Sequence, residues 1–420
     1  MRNTSFPLFP FGKIAELVLV FPLFICYTDK KTKHLFLKIY HKGQKKESMK
    51  KVWKIVAAVT VVLALLGFIA YKKTFGWSAP ELVDQTPQVN EWYRLSPEGV
   101  VDSQGNQAHG LLRIGKEKDK VMVYFFGGGV SINEETASGG TRYFATTTGH
   151  QDYVATWGIG SPQEDNPFKD WTMIVLPYGT GDFHAGTQNF SYIDDNGKEQ
   201  VVHHQGYSNL MSILAAAKPH VGNPDTLLVT GFSAGGFATS LLADDVISHF
   251  PTAKNVTVAV DSSFLRHDNW KSIAENVWKT PTSISDRLHS DNIVLDSLVA
   301  LHEKRGDSVK ILFDISYRDG ILQQYQAYID QGKLADATEE SSDHFQKELK
   351  KMIQELQSKI DGVGIFIWNY GQDEKTTATQ HTTINFSTFF TPMSKDKSVA
   401  EWLDDAVNGQ VNSYGLELLE

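Results

Sequence analysis

The sequence predicts an α/β fold built on a mostly parallel sheet covered by helices on both faces. Three observations carry that prediction. Short continuous apolar runs recur at 121–126 (VMVYFF), 171–177 (WTMIVLP), 226–230 (TLLVT), 255–260 (NVTVAV), 310–315 (KILFDI) and 363–368 (VGIFIW). Runs of that length without alternation mark strands buried on both faces. Helical spacing fills the gaps, at 237–246 and at 334–360, where Phe345, Leu349, Met352, Leu356 and Ile360 recur at steps of three and four. Glycine-rich turns follow several strands, at the end where open α/β sheets form their crevices.

The chain begins differently. Residues 1–77 hold 14 Lys or Arg against 3 Asp or Glu, whereas the rest holds 26 against 46. An acidic body argues against nucleic acid as a partner. The one cysteine, Cys26, lies in the basic segment, so the body has no disulfide and no thiolate metal site. Met49-Lys50-Lys51 followed by the 17-residue apolar run 55–71 reads as an export signal. Lysines upstream (Lys42, Lys45, Lys46, Lys50, Lys51, Lys54) outnumber Lys72 and Lys73 downstream, which places the body outside the membrane. No A-x-A site follows, so 49–76 is expected to be an uncleaved, single-pass signal anchor in the cell membrane; a cleaved signal and a secreted body is the alternative. Residues 1–48 are expected to be an extension absent from a native chain that starts at Met49; a second membrane segment is the alternative. Residues 77–90, punctuated by Pro80 and Pro87, read as a linker, and 91–420 as the catalytic domain.

The body opens with an expected hairpin over 91–114, turning at 102–106 (DSQGN). Strand 121–126 ends in Gly127-Gly128-Gly129-Val130-Ser131. Glycines there let backbone N–H groups approach a ligand. Strand 171–177 runs into Tyr178-Gly179-Thr180-Gly181-Asp182-Phe183-His184-Ala185-Gly186. Asp182 and His184 are too few to make a metal site; they are expected to brace this loop and line a cleft with Tyr178. His203 and His204 read as surface or cleft-rim residues before a helix at 209–217.

The run 226–230 leads into Gly231-Phe232-Ser233-Ala234-Gly235, which fits G-x-S-x-G between a strand and a helix. That is the nucleophile elbow of α/β-hydrolases. Small residues two before and two after the serine relieve a tight, strained turn. Ser233 becomes the candidate nucleophile. The Ala234 N–H at the helix start, with those of Gly128, Gly129 and Val130, becomes a candidate oxyanion donor. A serine nucleophile needs a base and an orienting acid, in the chain order Ser, acid, His. One histidine follows the last strand, His381, so position makes it the base. Asp261, Asp314 and Asp319 are candidate acids. Asp319, just past a strand end, suits a cleft-facing loop best, which leaves Asp261 as a structural or cleft-wall residue.

These motifs, in this order, resemble the pectin acetylesterase/Notum family of serine carboxylesterases: the triple glycine, PYGTGDFHAG, GFSAGG and VDSSF. The resemblance spans about 121–381. It implies an α/β-hydrolase fold with Ser233, Asp319 and His381 as triad, and the glycine loop with Ala234 as oxyanion hole. Val130-Ser131 stand where the family commonly has Trp-Cys, and Gly179 where it has Cys, which implies a cysteine-free bacterial branch. The expected function is an extracytoplasmic serine esterase acting on a short acyl ester, such as O-acetyl on a glycan, without metal or organic cofactor. An acyltransferase or thioesterase with the same triad, and a non-catalytic binding protein on a hydrolase scaffold, are the alternatives.

Overall fold

Ten strands and seven labelled helices order the body in the computed structural model, which describes residues 56–60, 78–149, 151–194 and 196–420. In chain order they are β1 (Trp92–Leu95), β2 (Gly110–Arg113), β3 (Glu117–Phe125), α1 (Glu134–Gly139), β4 (Trp171–Leu176), β5 (Gln188–Ile193), β6 (Glu199–His204), α2 (Gly206–Val221), β7 (Thr226–Phe232), α3 (Ala234–His249), β8 (Asn255–Asp261), α4 (Ile293–Arg305), β9 (Val309–Ser316), α5 (Gly320–Gln331), α6 (Glu339–Lys359), β10 (Gly364–Trp368) and α7 (Val399–Val407).

Eight strands form one sheet in the order β1-β2-β4-β3-β7-β8-β9-β10. The six from β4 to β10 are parallel, and β1 and β2 add an antiparallel edge. Every residue of β4 and β10 is buried, as is all of β7, β8 and β9 except one residue near the start of each. Since successive side chains point to opposite faces, both faces of the sheet are covered. Each fully buried Val, Leu, Ile or Phe contributes roughly 1.5–3 kcal/mol. Those apolar runs therefore fix the sheet before any loop is considered. The pair β5–β6 forms a separate hairpin.

Local chemistry sets the helix starts. Thr338 caps α6 with a reciprocal Ser341 bond, so the helix begins at 339 and not at the expected 334. Ser398 and Glu401 close the same box on α7. Asp319 caps α5. The expected linker behaves otherwise: Ala79–Glu420 form one compact unit. Leu82 N donates to Arg94 O at 2.9 Å, Arg94 N to Pro80 O at 2.8 Å and Asn90 N to Ile114 O at 2.7 Å, so residues 80–90 run along the edge of the sheet. The anticipated hairpin is β1 with β2, joined by a long loop that contains the 102–106 turn.

The apolar run 55–71 lies outside the described residues except for 56–60, which are helical. Among the described residues no helix is long and apolar enough to cross a membrane.

Candidate active site

β7 delivers Ser233 to the top of the sheet and α3 starts at the next residue. Ser233 is the cap residue, half-buried, with φ 54° and ψ −126°. A positive φ on a non-glycine residue costs on the order of 1–3 kcal/mol and persists only where the surroundings over-determine it. They do so here. Ser233 N donates to Asp261 O at 2.9 Å. Ser233 O accepts from Gly236 N at 2.8 Å, Phe237 N at 3.1 Å and Ser263 Oγ at 2.7 Å. The flanking glycines are steric necessities: a Cβ on Gly235 would lie 2.0 Å from Phe125 O, and one on Gly231 2.6 Å from both Phe125 O and Gly235 O.

The glycine loop meets this turn directly. A Cβ on Gly127 would lie 2.7 Å from the Ser233 Cβ. Gly128 and Gly129 follow with φ 154° and 79°. Their carbonyls are engaged, Gly128 O by Ala145 N at 2.7 Å and Gly129 O by Tyr178 Oη at 3.1 Å. Their N–H groups make no hydrogen bond within the described residues, nor does that of Ala234 at the positive end of α3. Val130 differs from the expectation. Its N–H donates to Tyr143 O at 3.0 Å, because the 143–145 segment folds back on the loop, so it is not free to meet an oxyanion.

His381 lies on the loop after β10. Its Nδ1 is 2.7 Å from Asp319 Oδ2, with the Asp319 side chain fully buried and the His381 side chain 14% exposed. The other Asp319 oxygen, Oδ1, accepts from Ile321 N and Leu322 N at 3.0 Å each. One carboxylate thus caps α5 and holds the imidazole. Backbone pairing keeps the two segments in step: Thr379 N donates to Arg318 O at 2.9 Å, and Gly320 N to Thr379 O at 3.1 Å. His381 Nε2 is buried without a partner, and no hydrogen bond joins it to Ser233 Oγ. Such contacts are often long in free enzymes and tighten with substrate. The structure therefore joins His381 to Asp319 and leaves the serine link open. Asp314 and Asp261 do not reach His381. They sit opposite each other in the β8–β9 register, and both are buried.

The residues expected to line the cleft are interior props. Tyr178 is fully buried; its hydroxyl donates to Gly129 O and accepts from Phe183 N at 3.0 Å. Asp182, also fully buried, accepts from Thr180 Oγ1 at 2.6 Å, Gly186 N at 3.1 Å and Gly206 N at 2.8 Å, which ties the loop to the start of α2. His184 Nε2 bonds Phe126 O at 2.9 Å, just before the glycines, and burial pushes its pKa down to about 4. Asp261 is 1% exposed and bonds backbone groups of the His381 loop. His204, read as surface, is buried with Nδ1 2.7 Å from Thr180 O. Sequence reading missed two further props. Trp278 Nε1 donates to Ser131 O at 2.7 Å, and Tyr325 Oη to Tyr143 O at 2.6 Å. Both act across long sequence separations that no local pattern marks. Among the described residues no group of three or more His, Cys, Asp or Glu is placed to hold a metal.

A cavity of about 810 Å³ opens elsewhere, between α5, α6 and the segment after β8; its lining includes Phe264, Arg266, Asp291, Gln326, His344 and Glu348, and neither Ser233 nor His381 borders it.

The pectinacetylesterase family model matches residues 107–287, somewhat under half of the chain. That stretch includes the glycine loop, the 178–186 loop, the elbow and Asp261. Over that stretch the chain is similar to the pectinacetylesterase family. It is accordingly a carboxylic ester hydrolase. Asp319 and His381 lie beyond the matched pectinacetylesterase stretch, so they stand on geometry. The fold is similar to that of the Wnt deacylase Notum from Drosophila, with a TM-score of 0.53 and 15% identity over 74% of this chain and 91% of that one. At that identity the likeness is one of fold. No curated protein sequence matches the chain.

Proposed function

We propose that the protein hydrolyses short acyl esters through a Ser233–His381–Asp319 triad. The observation that carries the reading is the 2.7 Å His381–Asp319 contact with Nε2 left without a partner, together with the strained, glycine-flanked serine at the end of β7. Asp319 holds the imidazole with its proton on Nδ1, so Nε2 takes the Ser233 proton as Oγ bonds to the ester carbonyl carbon. The N–H groups of Gly128, Gly129 and Ala234 receive the charge that develops on the carbonyl oxygen. Imidazolium then gives its proton to the departing alcohol, and the C–O bond to it breaks. Water then bonds to the acyl carbon as Nε2 takes its proton; the bond from that carbon to Oγ breaks, the imidazolium returns the proton to Ser233 Oγ, and the acid leaves.

The glycines are also required by their surroundings. A Cβ on Gly128 would lie 2.9 Å from Ala145 Cβ and Tyr178 Cδ1, and one on Gly129 2.3 Å from Tyr325 Oη. The similarity to pectinacetylesterases supports an O-acetyl group on a glycan as the substrate. The test is hydrolysis of a p-nitrophenyl ester series from acetate to octanoate by the wild type and Ser233→Ala. The expected result is a maximum at acetate and at least about a thousandfold loss in the variant. Equal rates for the two proteins would remove Ser233 as nucleophile.

We also place the body outside the membrane, on the lysine asymmetry around 55–71. Protease added to intact cells should then abolish esterase activity; full retention would reject that placement.

A further inference from the structure

Asp261 takes no chemical part in the triad, yet it touches both halves of the proposed site. Its carbonyl oxygen accepts from Ser233 N at 2.9 Å, at the strained residue itself. Its Oδ2 accepts from Thr383 N and Ile384 N at 2.9 Å each, immediately after His381. Its Oδ1 accepts from Ser262 Oγ at 2.6 Å, and that hydroxyl accepts from Thr382 N at 3.2 Å. Three successive backbone N–H groups of the histidine loop therefore end on one carboxylate, directly or through one hydroxyl. Thr382 has φ 62°, so the loop is bent sharply at the residue after the histidine. Upstream, the same loop is held by pairing with 318–320. His381 stands between two anchors: the acid side fixes its Nδ1, and the Asp261 side fixes its distance from the elbow.

We infer that Asp261 is a positioning residue that sets His381 against Ser233, acting through the backbone of residues 382–384. The inference rests on the triad reading above. Asp314 supports this anchor from the neighbouring strand. It is register partner to Asp261, buried, and its Oδ1 has no hydrogen-bond partner. Burial first, and the Asp261 charge second, hold its carboxyl protonated well above the usual range. Two buried carboxyls this close keep one proton between them. Burial raises the Asp261 carboxyl as well, but the donors from Ser262, Ile384 and Thr383 hold it below Asp314, so the shared proton favours Asp314.

The test compares full-length wild type with Asp261→Asn and Ser262→Ala, using p-nitrophenyl acetate. For Asp261→Asn, kcat should fall about 100-fold, the effect of an ångström of misplacement, with KM within about twofold. Ser262→Ala deletes one hydroxyl and tests the anchor even where Asp261→Asn does not fold; its kcat should fall about tenfold by the same misplacement logic. A folded Asp261→Asn with wild-type kcat, or with KM changed as much as kcat, overturns the inference, as does a wild-type kcat in Ser262→Ala. An inactive wild type, or an active Ser233→Ala, would instead overturn the triad reading.

Discussion

Replacing Asp319 by Asn separates holding the histidine from orienting its proton. The two oxygens of Asp319 have different duties. Oδ1 takes two helix N–H groups at 3.0 Å, and Oδ2 takes Nδ1–H of His381 at 2.7 Å. In Asp319→Asn the carbonyl must stay on the helix side, since turning the amide over would set its NH₂ against two N–H donors. The NH₂ therefore faces Nδ1 and donates to it. The imidazole proton moves to Nε2, the nitrogen that must accept from Ser233. A wrong tautomer in an otherwise intact serine triad lowers turnover about 10⁴-fold, or about 5.5 kcal/mol of barrier. Stability should barely change, because Asn caps a helix about as well as Asp. Asp319→Ala loses the cap, about 1–2 kcal/mol, and strands a buried Nδ1–H, about 1–3 kcal/mol more. The assay is kcat/KM on p-nitrophenyl acetate beside urea unfolding of both variants. The expected pattern is similar loss of rate and a large gap in stability. An Asn variant with more than about a tenth of wild-type activity would refute the assignment and move the acid elsewhere.

Two further outcomes follow from packing and burial. Gly235→Ala puts a methyl 2.0 Å from Phe125 O, in backbone that has no room to move, and should cost about 3 kcal/mol or more in chemical denaturation; Gly149→Ala, with nothing within 4 Å, should be neutral. His184 takes its proton near pH 4 when folded and near its ordinary 6.5 when unfolded. The unfolded chain therefore binds more protons as pH falls from about 6.5 to 4, and about 3 kcal/mol of stability present at pH 7 is lost across that window. His184→Gln keeps a donor for Phe126 O and should flatten the stability–pH curve over that range; a curve parallel to wild type would refute the reasoning.

Much of the scaffold was legible because burial on both faces leaves a plain mark. Continuous apolar runs give β3, β4, β7, β8, β9 and β10 within a few residues. The elements that escaped have mixed surfaces. The hairpin β5–β6 is half exposed and reads as polar loop, although Asn196-Gly197 at its turn is a usable signal. Helix α4 and the short turns before it fall in a stretch without a clean period. At the site, strand-end position distinguishes Asp319 from Asp314, since a residue inside a covered strand points into a layer and one just past it reaches a loop.

What sequence could not supply is the direction in which a polar side chain spends its bonds. Val130 and Gly129 are neighbours in one motif, yet a returning segment at 143–145 takes the N–H of Val130 and spares that of Gly129. Tyr178, Asp182 and His184 belong to the loop beside the glycines, and all turn inward to hold backbone. Asp261 is the sharpest case. By position it competed with Asp319 for the acid, because both end strands at the crevice. The difference lies in what comes back across the sheet. His381 returns with its ring toward Asp319 and its following backbone toward Asp261, so one carboxylate meets a side chain and the other meets N–H groups. Two candidate acids in the sequence thus divide orientation of the proton from placement of the residue that carries it.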